Sequence, residues 1–205
     1  MSRLLVESHK LNLNEEKLNE LREDDKAGRP IVVVGIIQRA DAKNQNGRIY
    51  PYDILRKEVD RYKNEVISQG NAIGELDHTN EPIIQLERAS HVIEDLWWDG
   101  PDQKEVWGKI RLLSTPKGQL AKNIVFDGIP LGISSRAVGS VESRGDCDYV
   151  KEDLNLICWD LVGTPSTHSA YLKLHENKQL GYFNERKIYP AQYRIKDTLK
   201  DILGK

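Results

Sequence analysis

Cysteine, methionine and phenylalanine are scarce in this chain, with two, one and two respectively in 205 residues. Two cysteines, Cys147 and Cys158, make neither a disulfide framework nor a metal-ligand set. An excess of charge of either sign is also missing. The chain has 30 Lys and Arg against 32 Asp and Glu, a formal net charge of −2, with the signs interspersed. Nothing therefore marks a specific nucleic-acid partner or a solvating acidic tail. The longest apolar run, Ile31 to Ile37, falls far short of the roughly 20 residues that span a bilayer. The opening residues, with Arg3 and Glu7 around Leu4-Leu5-Val6, lack a signal-peptide core. Internal repeats and low-complexity tracts are absent. The expectation is a soluble intracellular chain with no membrane partner and enough length to bury one core.

Periodicity supplies the elements. Residues 1–29 read as a peripheral arm: Asn14 caps a short helix striped by Leu18 and Leu21. The β-branched run Ile31 to Gln38 predicts a buried strand, and Asn46-Gly47 a turn. Pro51 opens a helix of about four turns whose buried face is Leu55, Val59, Tyr62 and Val66. A hairpin follows, Ile83 to Trp98 with Glu105 to Leu113, turning at Asp99–Asp102. Thr115-Pro116 starts a helix with Leu120 and Ile124 on its inner stripe, stopping at Gly128. Strands over Gly132–Ser140 and Leu154–Val162 complete the pattern, and Leu199, Ile202 and Leu203 suggest a final helix. The fold class is mixed and β-rich, an antiparallel β core with two or three helices. The domain spans 30–175, with a C-terminal tail over 176–205.

One stretch concentrates chemistry. In Gly132-Ile-Ser-Ser-Arg136, strand alternation puts Ser134 on one face with Arg136 and Ser135 on the other with Ile133 and Ala137. Either serine needs a base to take its proton. Of five histidines, His78 stands out because it sits in the polar loop Gly74-Glu-Leu-Asp-His78 after a helix. His91, inside a strand, reads as a satisfied core partner. Asp160, a carboxylate in the apolar strand Leu156–Val162, needs a buried partner. That partner is either the base, as third member of a triad, or Arg136 in a structural ion pair. Glu75 and Asp77 are weaker candidates for the third place. A metal set of Glu75, Asp77, His78 and His91 matches no usual ligand spacing, so neither cofactor nor metal is expected.

Taken together, Asn46–Pro51, Gly74–His78, Ala89-Ser-His91, Leu96–Gly100 and Gly132–Arg136 resemble the prohead core proteases of T-even-type tailed bacteriophages. The resemblance runs in order over roughly residues 31–165. That family is similar to the herpesvirus capsid-maturation proteases, the assemblins, whose closed β-barrel is ringed by helices. The resemblance implies a serine endopeptidase with Ser134 as nucleophile, Ser135 as the alternative, His78 as base and Asp160 in the third place. It implies an oxyanion site of backbone N–H groups at Gly163 or Thr164, assisted by Arg136. Scaffold, core and capsid proteins would be substrates inside the immature capsid, in the host cytoplasm, cut after glutamate in an aliphatic-x-Glu context. Leu5-Val6-Glu7-Ser8 fits that context and marks a self-cleavage site between Glu7 and Ser8. Self-association is left open, and a non-enzymatic scaffold component with the same fold is the rival reading.

Overall fold

Three open sheets build the protein, and the two larger ones meet at the residues singled out above. The computed structural model describes residues 3–12, 15–44, 46–100, 102–129, 131–163 and 171–173, with 3–12 and 171–173 as backbone. The first sheet has the order β10 (Asn155–Val162), β7 (Gly132–Gly139), β1 (Arg3–Asn12), β11 (Tyr171–Lys173). The second runs β2 (Val32–Arg39), β6 (Glu105–Leu112), β5 (Ala89–Asp99), β4 (Ile73–Glu75). A small third sheet joins β3 (Arg48–Ile49), β9 (Cys147–Val150) and β8 (Val141–Arg144).

The expected closed barrel is not formed among the described residues. Closure would need continuous ladders at both pairs of sheet edges, β11 with β2 and β4 with β10, and neither is present among the described residues. β4 is three residues long and bulged between Gly74 and Glu75, so only one parallel bridge, Leu76 to Leu161, crosses the gap. The mixed, β-rich class stands, with the predicted β2 and β5–β6 hairpin in place.

Among the described residues three α-helices pack on this frame. α1 (Glu15–Lys26) buries Leu18 and Leu21. α2 (Tyr52–Tyr62) follows Pro51 and buries Leu55, Val59 and Tyr62 as the 3.6-residue spacing requires. It runs into a π-helical turn over Lys63–Ile67, where Val66 is only partly covered. The Tyr62 ring meets Trp159 edge-on, with centroids 5.2 Å apart, a favoured aromatic geometry. α3 (Pro116–Phe126) is capped by Thr115, whose Oγ1 accepts from the Gly118 N–H.

Local expectations need correction at three elements. α3 buries Gly118, Ala121 and Val125 rather than Leu120, which is 45% exposed. Small residues let the helix approach closely, so that a Cβ at Gly118 would lie 2.0 Å from the Leu113 carbonyl. β5 starts at Ala89 rather than Ile83, because a short 3₁₀ turn over Leu86–Arg88 precedes it. Residues 3–12, read as part of an arm, form the strand between β7 and β11. The C-terminal tail 176–205 and its final helix lie outside the described residues.

Candidate active site

Register on β7 decides which way each serine faces. Ser134 lies opposite Asp160 on β10, and Ser135 lies opposite Trp159. Cross-strand partners share a face. Ser135 therefore points with Ile133, Ala137 and Trp159 into the apolar core. Ser134 shares the other face with Arg136, Cys158 and Asp160, all fully buried. A bulge between Leu156 and Cys158 makes this possible. It lets Leu156 and Trp159 both face the core while Cys158 and Asp160 face the polar side.

His78 comes to Asp160 from the other sheet. β4 delivers Glu75, whose backbone N–H donates to Asp160 Oδ1 at 3.0 Å. The Asp77 N–H then donates to the Leu161 carbonyl at 2.8 Å. Asp77 has φ of 65°, a left-handed conformation that costs a non-glycine residue some strain. That turn sends His78 back over β10, where Nδ1 lies 2.9 Å from Asp160 Oδ2. A carboxylate only accepts, so Nδ1 carries the proton and Nε2 is left as a free base. Both His78 Nε2 and Ser134 Oγ are buried without a hydrogen-bond partner.

Asp160 is saturated. Besides His78 and Glu75, it accepts from Arg136 Nη2 at 3.2 Å and from the Cys158 thiol at 3.3 Å. Arg136 Nε lies 3.0 Å from Oδ2 as an ion-pair contact without hydrogen-bond alignment. Burial alone would raise the pKa of this carboxyl, but the His78 hydrogen bond, Arg136 and the Glu75 N–H hold it below its usual range. Burial pushes the Cys158 thiol well up, keeping it neutral. Asp160 thus contacts both His78 and Arg136, the two partners the sequence left open.

Arg136 does more than pair with Asp160. Its Nη2 lies 3.2 Å from Glu75 Oε1, and its Nη1 donates to Thr79 Oγ1 at 2.7 Å and to the Glu81 carbonyl at 2.8 Å. The guanidinium thus pins the loop after His78 over the site. Arg88 holds the start of the same loop by donating to the Leu76 and Asp77 carbonyls. The loop carries Ile83 at its far end, and Leu86 follows in the 3₁₀ turn; they are 69% and 72% exposed. Gly163 is exposed and lies one residue past the pair Val162–Gly132, about 10 Å along β10 from the position opposite Ser134. Thr164 lies outside the described residues.

The roles of Glu75, Thr79, Arg88 and Cys158 were not read from the sequence. Glu75 and Cys158 had a usable signal, a polar atom near a buried charge that needed several partners. Thr79 and Arg88 act through loop backbone geometry, which residue types alone do not reveal. Glu75, Asp77, His78 and His91 do not converge as ligands: among the described residues no group of three or more His, Cys, Asp or Glu side chains gathers to hold a metal ion. Glu7 and Ser8 sit on β1, opposite Ser135 and Ser134 respectively.

Comparison with known proteins gives concordant results. Residues 7–179 match the family described as "Prohead core protein serine protease". A relative, the prohead core protein protease of Enterobacteria phage T4, is 35% identical over 147 residues, covering 69% of this chain and 68% of that one. The solved structure of the bacteriophage T4 capsid assembly protease, gp21, superimposes with a TM-score of 0.66 at 26% identity. It covers 80% of this chain and 99% of that one.

Proposed function

Because the chain belongs to the prohead core protein serine protease family, we propose that it is a capsid-assembly protease of a tailed bacteriophage cutting through an acyl-enzyme at Ser134. The observation that carries this reading is the 2.9 Å contact of His78 Nδ1 with Asp160 Oδ2, with Ser134 on the rung opposite Asp160. In the reaction Ser134 Oγ attacks the scissile carbonyl carbon and its proton passes to His78 Nε2. Asp160 stabilises the imidazolium without taking the proton. His78 then protonates the leaving amine, and water releases the acyl group with the same base. Backbone N–H groups supply the oxyanion donors, and Arg136 contributes its charge. A movement that brings Nε2 and Oγ into contact completes the relay, since hydrogen bonds of this kind are often long without substrate.

Substrates are the scaffold, core and capsid proteins of the prohead, cut inside the particle within the host cytoplasm after glutamate in an aliphatic-x-Glu context. Exposed Ile83 and Leu86 offer apolar surface for the aliphatic side chain. The Glu7–Ser8 bond is a self-cleavage site. The bond lies in β1, laddered to β7 opposite Ser135 and Ser134, so it is cut once this segment has left the sheet. Ser134 and Asp160 have no exposed surface, so a substrate reaches them only after a neighbouring segment moves aside.

The test is expression of the wild type, Ser134→Ala and Ser135→Ala, each read by intact mass. The reading expects the wild type and Ser135→Ala to lose the first seven residues while Ser134→Ala stays whole. Trimming by Ser134→Ala would overturn the nucleophile assignment, and three intact chains that also leave a Leu5–Ser8 peptide and scaffold protein uncut would favour a non-enzymatic component.

A further inference from the structure

The edge of β10 that faces away from β7 is completed in an unusual way. Its carbonyls at Trp159 and Leu161 point toward the second sheet. Leu161 O is met by the Asp77 backbone N–H at 2.8 Å, as in an ordinary ladder. Trp159 O is met by a side chain instead: His91 Nε2 lies 3.0 Å from it. A carbonyl only accepts, so Nε2 carries the proton, and Nδ1 accepts from Ser90 Oγ at 2.9 Å. His91 and Ser90 are both fully buried. Burial pushes the His91 imidazole down to about 4, only partly offset by the charge of Asp160, so the neutral tautomer holds at neutral pH.

Space for this ring exists only because residue 74 is glycine. A Cβ there would lie 2.2 Å from Trp159 O and 2.3 Å from His91 Cε1 and Nε2. The imidazole thus fills the gap between β4 and β10 just ahead of the bridge Leu76–Leu161, on the side of β4 away from its bulged ladder with β5.

We infer that His91 is a positioning residue for Asp160, replacing a missing rung between the two sheets. The carbonyl it holds belongs to the rigid peptide unit that contains the Asp160 nitrogen. Fixing that plane fixes the backbone of Asp160, and with it the direction of the carboxylate that His78 and the Glu75 N–H both use. The inference rests on the Ser134–His78–Asp160 reading above and deepens it.

The experiment compares the full chain with His91→Leu, His91→Gln and His91→Asn, alongside Ser134→Ala. Three quantities are followed: kcat and KM on an aliphatic-x-Glu peptide, thermal midpoint, and the low-field proton resonance of the His78 Nδ1–H bonded to Asp160. His91→Leu is expected to lose that resonance and to lower kcat by up to about 100-fold with KM little changed. His91→Gln, whose amide reaches the position of Nε2, restores both. His91→Leu with normal kcat and resonance but a lowered midpoint would make His91 merely structural and overturn the inference. If the Leu variant does not fold, Gln and Asn decide, because the Asn amide reaches only the position of Nδ1; equal behaviour of the two overturns the inference. Wild-type turnover by Ser134→Ala would instead defeat the catalytic reading, while the resonance still reports on His91.

Discussion

The Glu75 backbone N–H donates to Oδ1 of Asp160, so the carboxylate on β10 receives a main-chain donor from β4 and an imidazole from the loop beyond it. One side chain thereby ties the two larger sheets together. Replacing it by its amide keeps the shape but not the charge. Asp160→Asn is expected to lower kcat roughly 10⁴-fold by allowing the wrong His78 tautomer. It is also expected to cost about 3 kcal/mol in urea unfolding, because Arg136 loses a buried partner.

Acid should destabilise the protein in two stages. The folded His91 value is depressed from 6.5 to about 4. The unfolded chain therefore binds its proton first, and stability falls as pH drops from 6.5 to about 4. The Asp160 value is depressed as well, so its contribution is present above about 4 and is lost below that. Unfolding free energies of wild type and His91→Gln between pH 7 and 4 check the first stage. The variant curve should be flatter over that range.

Arg136→Lys should release the loop rather than the fold. A lysine cannot reach Thr79, Glu81, Glu75 and Asp160 together as the guanidinium fork does. Limited digestion by an added protease is expected to cut within residues 79–86 faster than in wild type, with self-trimming lost.

Ser135→Ala should be harmless. Its Oγ is buried without a partner on the core face, so removing it sheds a desolvation cost. The expected change is zero to about 1 kcal/mol of added stability in urea unfolding, with cleavage retained.

Gly118→Ala sets two effects against each other. Helix propensity favours alanine by about 1 kcal/mol. The new Cβ, however, would meet the Leu113 carbonyl oxygen at 2.0 Å and the Ser90 carbonyl at 2.8 Å, both backbone atoms. Overpacking of this kind costs roughly 1–3 kcal/mol, so a lowered thermal midpoint is expected.

Local chemistry was legible where residues carried their own reasons. Strand alternation separated Ser134 from Ser135, and the unsatisfied charge of Asp160 announced that it must have partners. The His78 loop stood out by composition. What could not be read depended on pieces distant in sequence. The Leu156–Cys158 bulge switches faces in mid-strand, which breaks the period of two on which alternation relies. The strand formed by Arg3–Asn12 has little apolar surface of its own and owes its conformation to the long ladder with β7. Leu120 was assigned to the core as one stripe with Ile124, yet α3 seats itself by Gly118, Ala121 and Val125. Barrel closure, inferred from family resemblance, failed at a strand only three residues long.

His78 and Asp160 are separated by 82 residues in sequence, one in the loop after β4 and the other on β10, with Ser134 beside Asp160. Neither half of the molecule holds all three side chains. A nascent chain emerging from the ribosome cannot bring them together until β10 has been made and docked against the β4 side, and non-local pairing of that kind forms slowly. For a chain of a protease family, the order of synthesis thus decides when those three side chains first meet.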